Sequence, residues 1–228
     1  MSYKKLFYFD IETAPYHSSL EEFKNKDEHG YNLFMRKLKR KSENFSDWKG
    51  DPNIVYLNKT PLMPEYGRIV CVSMAFFKNG EMLLKSIYGR DESKLIFDVY
   101  NIFAKISGTG KGLSGYYIKG FDIPWLNRKM MEYGLKIPNI LKTFNIKPWE
   151  MNIYDLAEIW KNKGTLENIS FDEMLYKLNV KSPKSDISGK DVGKVYWVEN
   201  DLERIKRYCE ADVIASVKAM EKLDINVF

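Results

Sequence analysis

Residues 4–13 read KKLFYFDIET. The run Leu6, Phe7, Tyr8, Phe9 is apolar and aromatic throughout, which predicts a buried strand. Two acids follow at Asp10 and Glu12. Side chains two apart on a strand leave the sheet on one face, so these carboxylates project together. An acid just after a strand is ordinarily a turn residue, and the pair acquires weight only from what lies further along the chain.

The next segment changes character. Residues 14–66 are polar and rich in Lys, Glu and Asn, with helical spacing near 18–26 and 30–43 and with Pro61 and Pro64 closing them off. They read as a helical insertion within a single domain spanning residues 1–228. RIVCVSMAFF at 68–77, a turn at Lys78–Gly80 and the run 81–88 predict a β-hairpin. Leu95, Val99, Ile102 and Phe103 give helical spacing over 91–106. A short strand at 112–117 leads into FDIPWLNRKMMEYG, with Pro124 suited to a first helical turn. A strand near 151–154, a helix at 170–178, a Ser/Gly/Lys/Asp-rich loop at 182–195 and helical patterns in 199–208 and 208–223 complete the chain. Strands first, then alternating helices and strands, indicate an α/β domain around one mixed sheet.

Two further placements stand out. Asp122 falls at a strand-to-helix junction, where capping the helix would be reason enough for an acid. Tyr208 and Asp212 are four apart in YCEADV and share one helical face. Asp10 and Glu12 on the first strand, Asp122 mid-chain and Tyr208 with Asp212 on the last helix together make a constellation that the separate bland readings do not explain.

The composition narrows the field. No stretch approaches the twenty apolar residues of a membrane span. Cys71 and Cys209 are the only cysteines and His17 and His29 the only histidines. No disulfide framework or zinc site is expected, and a reducing, cytoplasmic setting is. The net charge of +5 permits a polyanionic partner without requiring one. No histidine or serine nucleophile constellation is evident.

FDIET, KGFDIP and YCEADV resemble the three motifs of the DnaQ-like, ribonuclease H-like 3′→5′ exonucleases, in the subgroup named for four acids and a tyrosine. EYGRIVCVSM, SPKSDISGKDVG and VYWVENDLERIKRYCEADV are similar to predicted exonucleases related to the proofreading domain of family B DNA polymerases. The sister subgroup carries a histidine five residues before the last acid, where this chain has Arg207. The resemblance implies a ribonuclease H-like fold, a mixed central sheet flanked by helices, and trimming of DNA from single-stranded or frayed 3′ ends. It implies two ions, Mg²⁺ or Mn²⁺. Asp10 bridges both, Glu12 and Asp212 hold the one that activates water, and Asp122 supports the other through waters.

By the same resemblance Tyr208 orients the attacking water, and backbone groups around Ile11 and Thr13 meet the terminal nucleotide. Tyr117 stands nearest to a position where the family usually has asparagine. Phe121, like Phe9, is a candidate for stacking on a base, with core packing the alternative. Lys184 and Lys190 are candidates for phosphate contact. The basic run Arg36, Lys37, Lys39, Arg40 and Lys41 reads either as a solvated helix face or as a backbone-binding patch. A DNA polymerase or another replication or repair protein is a candidate partner. An exoribonuclease on the same scaffold and a binding module without catalysis remain the alternatives.

Overall fold

The computed structural model describes residues 2–147, 150–165, 167, 169–182 and 186–223. Five strands form one mixed sheet: β1 (Leu6–Pro15), β2 (Gly67–Lys78), β3 (Glu81–Tyr88), β4 (Gly112–Gly115) and β5 (Ile153–Asp155). Their order is β3-β2-β1-β4-β5, with β2 antiparallel to β1 and β4 parallel to it. The long helices are α4 (Glu92–Ile106), α5 (Asp122–Glu132) and α9 (Leu202–Leu223). The shorter ones are α6 (Leu156–Lys161), α7 (Phe171–Lys177) and α8 (Val192–Lys194). This is the α/β, ribonuclease H-like architecture.

The central strand is buried on both faces, and its alternation assigns each face a layer. Phe7, Phe9 and Ile11 pack into the cluster of Leu95, Val99 and Phe103 from α4 and Trp125 and Met130 from α5. Leu6 and Tyr8 pack with Val213, Val217 and Met220 of α9. Phe9 is therefore a core residue, its ring edge-on to Phe103 at 5.2 Å.

Three elements differ from their sequence patterns. β1 runs on through Pro15, because it continues to pair with β2 as far as Pro15 opposite Gly67. The patterns at 199–208 and 208–223 are one 22-residue helix; its buried face turns polar at Tyr208 and Asp212, which interrupts the periodicity without ending the helix. The stretch 182–195 is loop only in part. It closes with α8 and a wide turn at Val195–Glu199, which bury Val192, Val195 and Tyr196 against Ala14 and Cys209.

Between Pro15 and Gly67 the chain leaves the sheet and returns. It builds α1 (Leu20–Lys26), α2 (Glu28–Asn44) and α3 (Pro52–Lys59) around Phe23, Phe34 and Tyr56. The ring of Phe34 lies 5.5 Å from Tyr56 and 5.4 Å from Tyr66. The returning turn, Thr60–Leu62, rests on β1, where the Thr13 hydroxyl donates to the Pro61 carbonyl at 2.6 Å.

A buried charged network ties the sheet to α4 and α5. Between Glu12 and Thr13 the register slips, leaving Val70 as an extra residue on β2. Beside it the Ile69 N–H donates to Glu92 Oε1 at 2.6 Å. Glu92 Oε2 accepts from the Tyr133 hydroxyl at 2.9 Å and lies 3.5 Å from Lys129 Nζ. Glu92→Ala leaves the buried Lys129 ammonium with only the half-exposed Glu132, 3.0 Å away, and strips Ile69 of its acceptor. We expect it to cost about 3–5 kcal/mol, read as a lowered urea midpoint with an unchanged m-value.

Candidate active site

The alternation that puts Leu6 and Tyr8 against α9 carries on to Asp10, Glu12 and Ala14. The C-terminal half of α9 packs Val213 and Val217 on Leu6 and Tyr8, and its N-terminal half packs Ile205 and Cys209 near Ala14. Asp10 and Glu12 fall between these two apolar clusters, facing the stretch of α9 that carries Tyr208 and Asp212.

The fourth acid arrives from the opposite edge. β1 pairs with β4 only at Leu6, Phe7 and Tyr8, so beyond Tyr8 that edge of β1 has lost its neighbouring strand. Gly115 brings β4 to its end close against Phe9, where a Cβ would stand 2.7 Å from the Phe9 carbonyl oxygen. The N-terminus of α5 then fills the gap. Asp122 is its first residue, and Asp122 Oδ1 accepts the Ile11 N–H at 3.0 Å. Asp122 is thus not the helix cap; Phe121 holds that position and makes no side-chain capping bond.

Glu12, Asp122 and Asp212 are buried, at 7%, 3% and 9% exposure, and Asp10 is half-buried. Burial, followed by the charges of Asp122, Glu12 and Asp212, pushes Asp10 well above the usual carboxylate range. Burial and Asp212 do the same to Glu12. Asp122 is raised to about 8, chiefly by burial and against the pull of the backbone N–H groups it accepts. Among the described residues no lysine or arginine forms an ion pair with Asp10, Glu12 or Asp122. Clustered carboxylates without a cationic partner are a donor set for hard divalent ions, which favour oxygen.

Tyr208 is half-buried and its hydroxyl donates to Asp212. Burial and the charges of Asp212, Glu12 and Asp10 push its pKa up, so the phenol keeps its proton at neutral pH.

Two residues of the site were not singled out in the sequence. Cys209 Sγ lies 3.4 Å from both the carbonyl oxygen and Oδ2 of Asp10. Ligand atoms of Asp10, Glu12 and Cys209 fall within 4.8 Å of one another. Burial, Cys71 and the nearby acids hold the Cys209 thiol well above its ordinary pKa. It therefore acts as a weak donor to Asp10 rather than as a thiolate ligand. Its only sequence signal was its place beside Tyr208 and three residues before Asp212. The second is Asp155, at the end of β5, whose oxygens accept the N–H groups of Tyr117, Lys119 and Ala157, each at 2.9 Å. It shapes the loop that leads to Asp122 and adds to that residue's raised pKa. An acid at a strand-to-helix junction, as at Asp122, was the available clue.

The remaining candidates lie around this centre in different states. The Ile11 N–H is already engaged by Asp122 and the side chain is in the core. Thr13 is engaged by Pro61. Phe121 is partly buried, its ring 5.9 Å from Trp125. Tyr117 is 51% exposed at φ 58°, a left-handed conformation that asparagine adopts more readily than tyrosine. A Cβ at Gly120 would stand 2.4 Å from the Tyr117 ring, so that ring lies directly over Gly120. Lys190 is exposed, and Lys184 lies outside the described residues.

Residues 60–217 match the family described as predicted 3′–5′ exonucleases related to the exonuclease domain of PolB. The match takes in Asp122, Tyr208 and Asp212 and begins after Asp10 and Glu12, which the fold brings to them. Among solved structures, the chain is similar to the family B DNA polymerase from the hyperthermophilic archaeon Pyrobaculum calidifontis. The TM-score is 0.54 and the identity 16%, over 96% of this chain and 24% of the polymerase chain. The chain thus spans about a quarter of that polymerase's length, and the likeness is one of fold. No curated protein matches the sequence. Among the described residues no helix is long and apolar enough to cross a membrane.

The raised carboxyl pKa values predict how stability depends on pH without divalent ions. Unfolded, these groups titrate near 4; folded, they titrate well above that, Asp122 at about 8. The folded protein therefore binds extra protons between these values. That contribution is full below about pH 4 and is lost as pH rises towards 8. In chelator, the melting temperature is expected to fall from pH 5 to pH 8, and Asp10→Asn to flatten the decline. A melting temperature that climbs across this window equally in both proteins would contradict the electrostatic picture.

Proposed function

The chain belongs to the predicted 3′–5′ exonucleases related to the exonuclease domain of PolB, and on that premise we propose that it is a metal-dependent 3′→5′ exonuclease acting on DNA 3′ ends. One observation carries the reading. Asp10, Glu12 and Asp122, each raised by burial and by neighbouring acids, share one centre with Asp212 and with a protonated tyrosine.

In this reading Asp10, Glu12 and Asp212 hold one ion, and Asp10 with support from Asp122 holds a second. Two divalent ions, Mg²⁺ or Mn²⁺, supply when bound an activated water and charge relief at the phosphorus and the leaving oxygen. The protein's part is to fix the ligands. Asp122 Oδ1 accepts the Ile11 N–H, which ties the carboxylate to β1. The Cys209 thiol approaches Oδ2 of Asp10 and restrains its rotamer. Asp10 is the most exposed of the four acids, so a phosphate reaches the centre from its side.

Tyr208 serves as a donor. A phenol whose pKa is raised by burial and by three acids does not take a proton at neutral pH. It positions the attacking water, and its bond to Asp212 sets the direction of its hydroxyl. Phe9 is unavailable for stacking on a base because it is buried against Phe103.

The test is digestion of end-labelled single-stranded and duplex DNA beside a matched RNA. We expect stepwise loss of nucleoside monophosphates from the 3′ end, dependent on Mg²⁺ or Mn²⁺ and stopped by chelator. Asp10→Asn should cut about 10²–10³-fold more slowly, the scale of losing one charge-stabilising group. Tyr208→Phe should lose roughly ten- to a hundredfold through mispositioning, with Mn²⁺ affinity unchanged. A ladder growing from the 5′ end, or full activity in a folded Asp10→Asn protein, would sink the proposal.

A further inference from the structure

The basic run of α2 does not act as one patch. Leu33, Arg36, Lys37 and Arg40 follow the i, i+3, i+4, i+7 spacing of one helical stripe. With Tyr66 they line an open groove of about 340 Å³. Lys37 Nζ lies 5.2 Å above the Tyr66 ring, while Leu33 stays 41% exposed. Lys41 turns away to cover Phe45 at 4.6 Å, and Lys39 is exposed outside the groove.

Among the described residues Arg36, Lys37 and Arg40 pair with no carboxylate, whereas nearby cations are neutralised, Lys59 by Asp47 and Arg128 by Glu65. An open groove with three unneutralised cations, an aromatic ring and an exposed leucine suits a ligand that alternates anionic and flat apolar groups. A single strand of nucleic acid is such a ligand.

The groove's position relates it to the acids by two routes. Tyr66 adjoins Gly67, which pairs with Pro15, five residues past Asp10 on β1. Glu65, beside Tyr66, is bonded to Arg128, six residues past Asp122 on α5. At about 3.3 Å per strand residue and 1.5 Å per helical residue, these steps correspond to roughly 10–20 Å. That is the length of about three to six stacked nucleotides at ~3.4 Å each. We propose that this groove holds the single strand several nucleotides from the end cut at Asp10. The proposal rests on the exonuclease reading for which end is held. The groove residues Leu33, Arg36, Lys37 and Arg40 belong to the segment that precedes the family match.

The experiment compares two double variants of equal charge loss on the same helix, Arg36→Gln/Arg40→Gln and Lys39→Gln/Lys41→Gln. Binding of fluorescein-labelled (dT)₂₀ is measured in chelator over a salt series. Each lost single-strand phosphate contact lowers the slope of log affinity against log salt by about 0.7. The groove variant should therefore flatten the slope by about 1.4, and the control by less than half of that. Equal effects of the two variants, or no binding of (dT)₂₀ by the unaltered protein, would overturn the proposal. If the unaltered protein cuts DNA while the two variants behave alike, the groove fails and the exonuclease reading stands. If the slopes separate but nothing is cut, the reverse holds.

Discussion

The mutual repulsion of Asp10, Glu12, Asp122 and Asp212 is the load that the rest of the fold carries. Acids crowded this closely, three of them buried, are held in place by the backbone around them. Each is mounted on an element fixed elsewhere by apolar contact. β1 is buried on both faces, α9 is anchored by apolar clusters on either side of its acid, and α5 is seated by Trp125, Leu126 and Met130. Ser86 reaches across from β3 to Glu210 at 2.6 Å, bracing α9 from the hairpin. The hydrophobic layers thus give the site its geometry, and the site returns electrostatic strain to them.

How much of this was legible depended on the range of each interaction. Asp10 and Glu12 stood out because a period of two is a local property, as is the four-residue step from Tyr208 to Asp212. Asp122 was visible as an acid at a junction, but its bond to the Ile11 N–H depends on β4 stopping at Gly115, and no local pattern announces that. Cys209 and Asp155 act through contacts 199 and about 36–38 positions away along the chain. Glu92 and Lys129 carry no local mark of burial; it follows from the packing of α4 and α5. The basic run was legible as charge, whereas its division into a groove stripe and an outer pair follows from where Tyr66 returns to the sheet. The single helix α9 was masked because the polar groups Tyr208 and Asp212 on its packed face imitate a break.

The family match and the geometry are complementary in the same sense. The match starts at residue 60 and so omits the strand that carries Asp10 and Glu12. Strand pairing, which sets Glu12 opposite Cys71 and Asp10 opposite Ser73, restores them to the acids that the match contains.

The segment between Pro15 and Gly67 has a further consequence. Its two ends are neighbours in the β1–β2 ladder, so the sheet fixes their separation whatever lies between. Closing a flexible connection between such ends costs only about 0.6 kcal/mol more for each doubling of its length. By that measure, the layer that carries the acids is nearly indifferent to the length of what is suspended there. The two strands thus form a socket, whose rims at Pro15 and Gly67 are held together by the ladder itself.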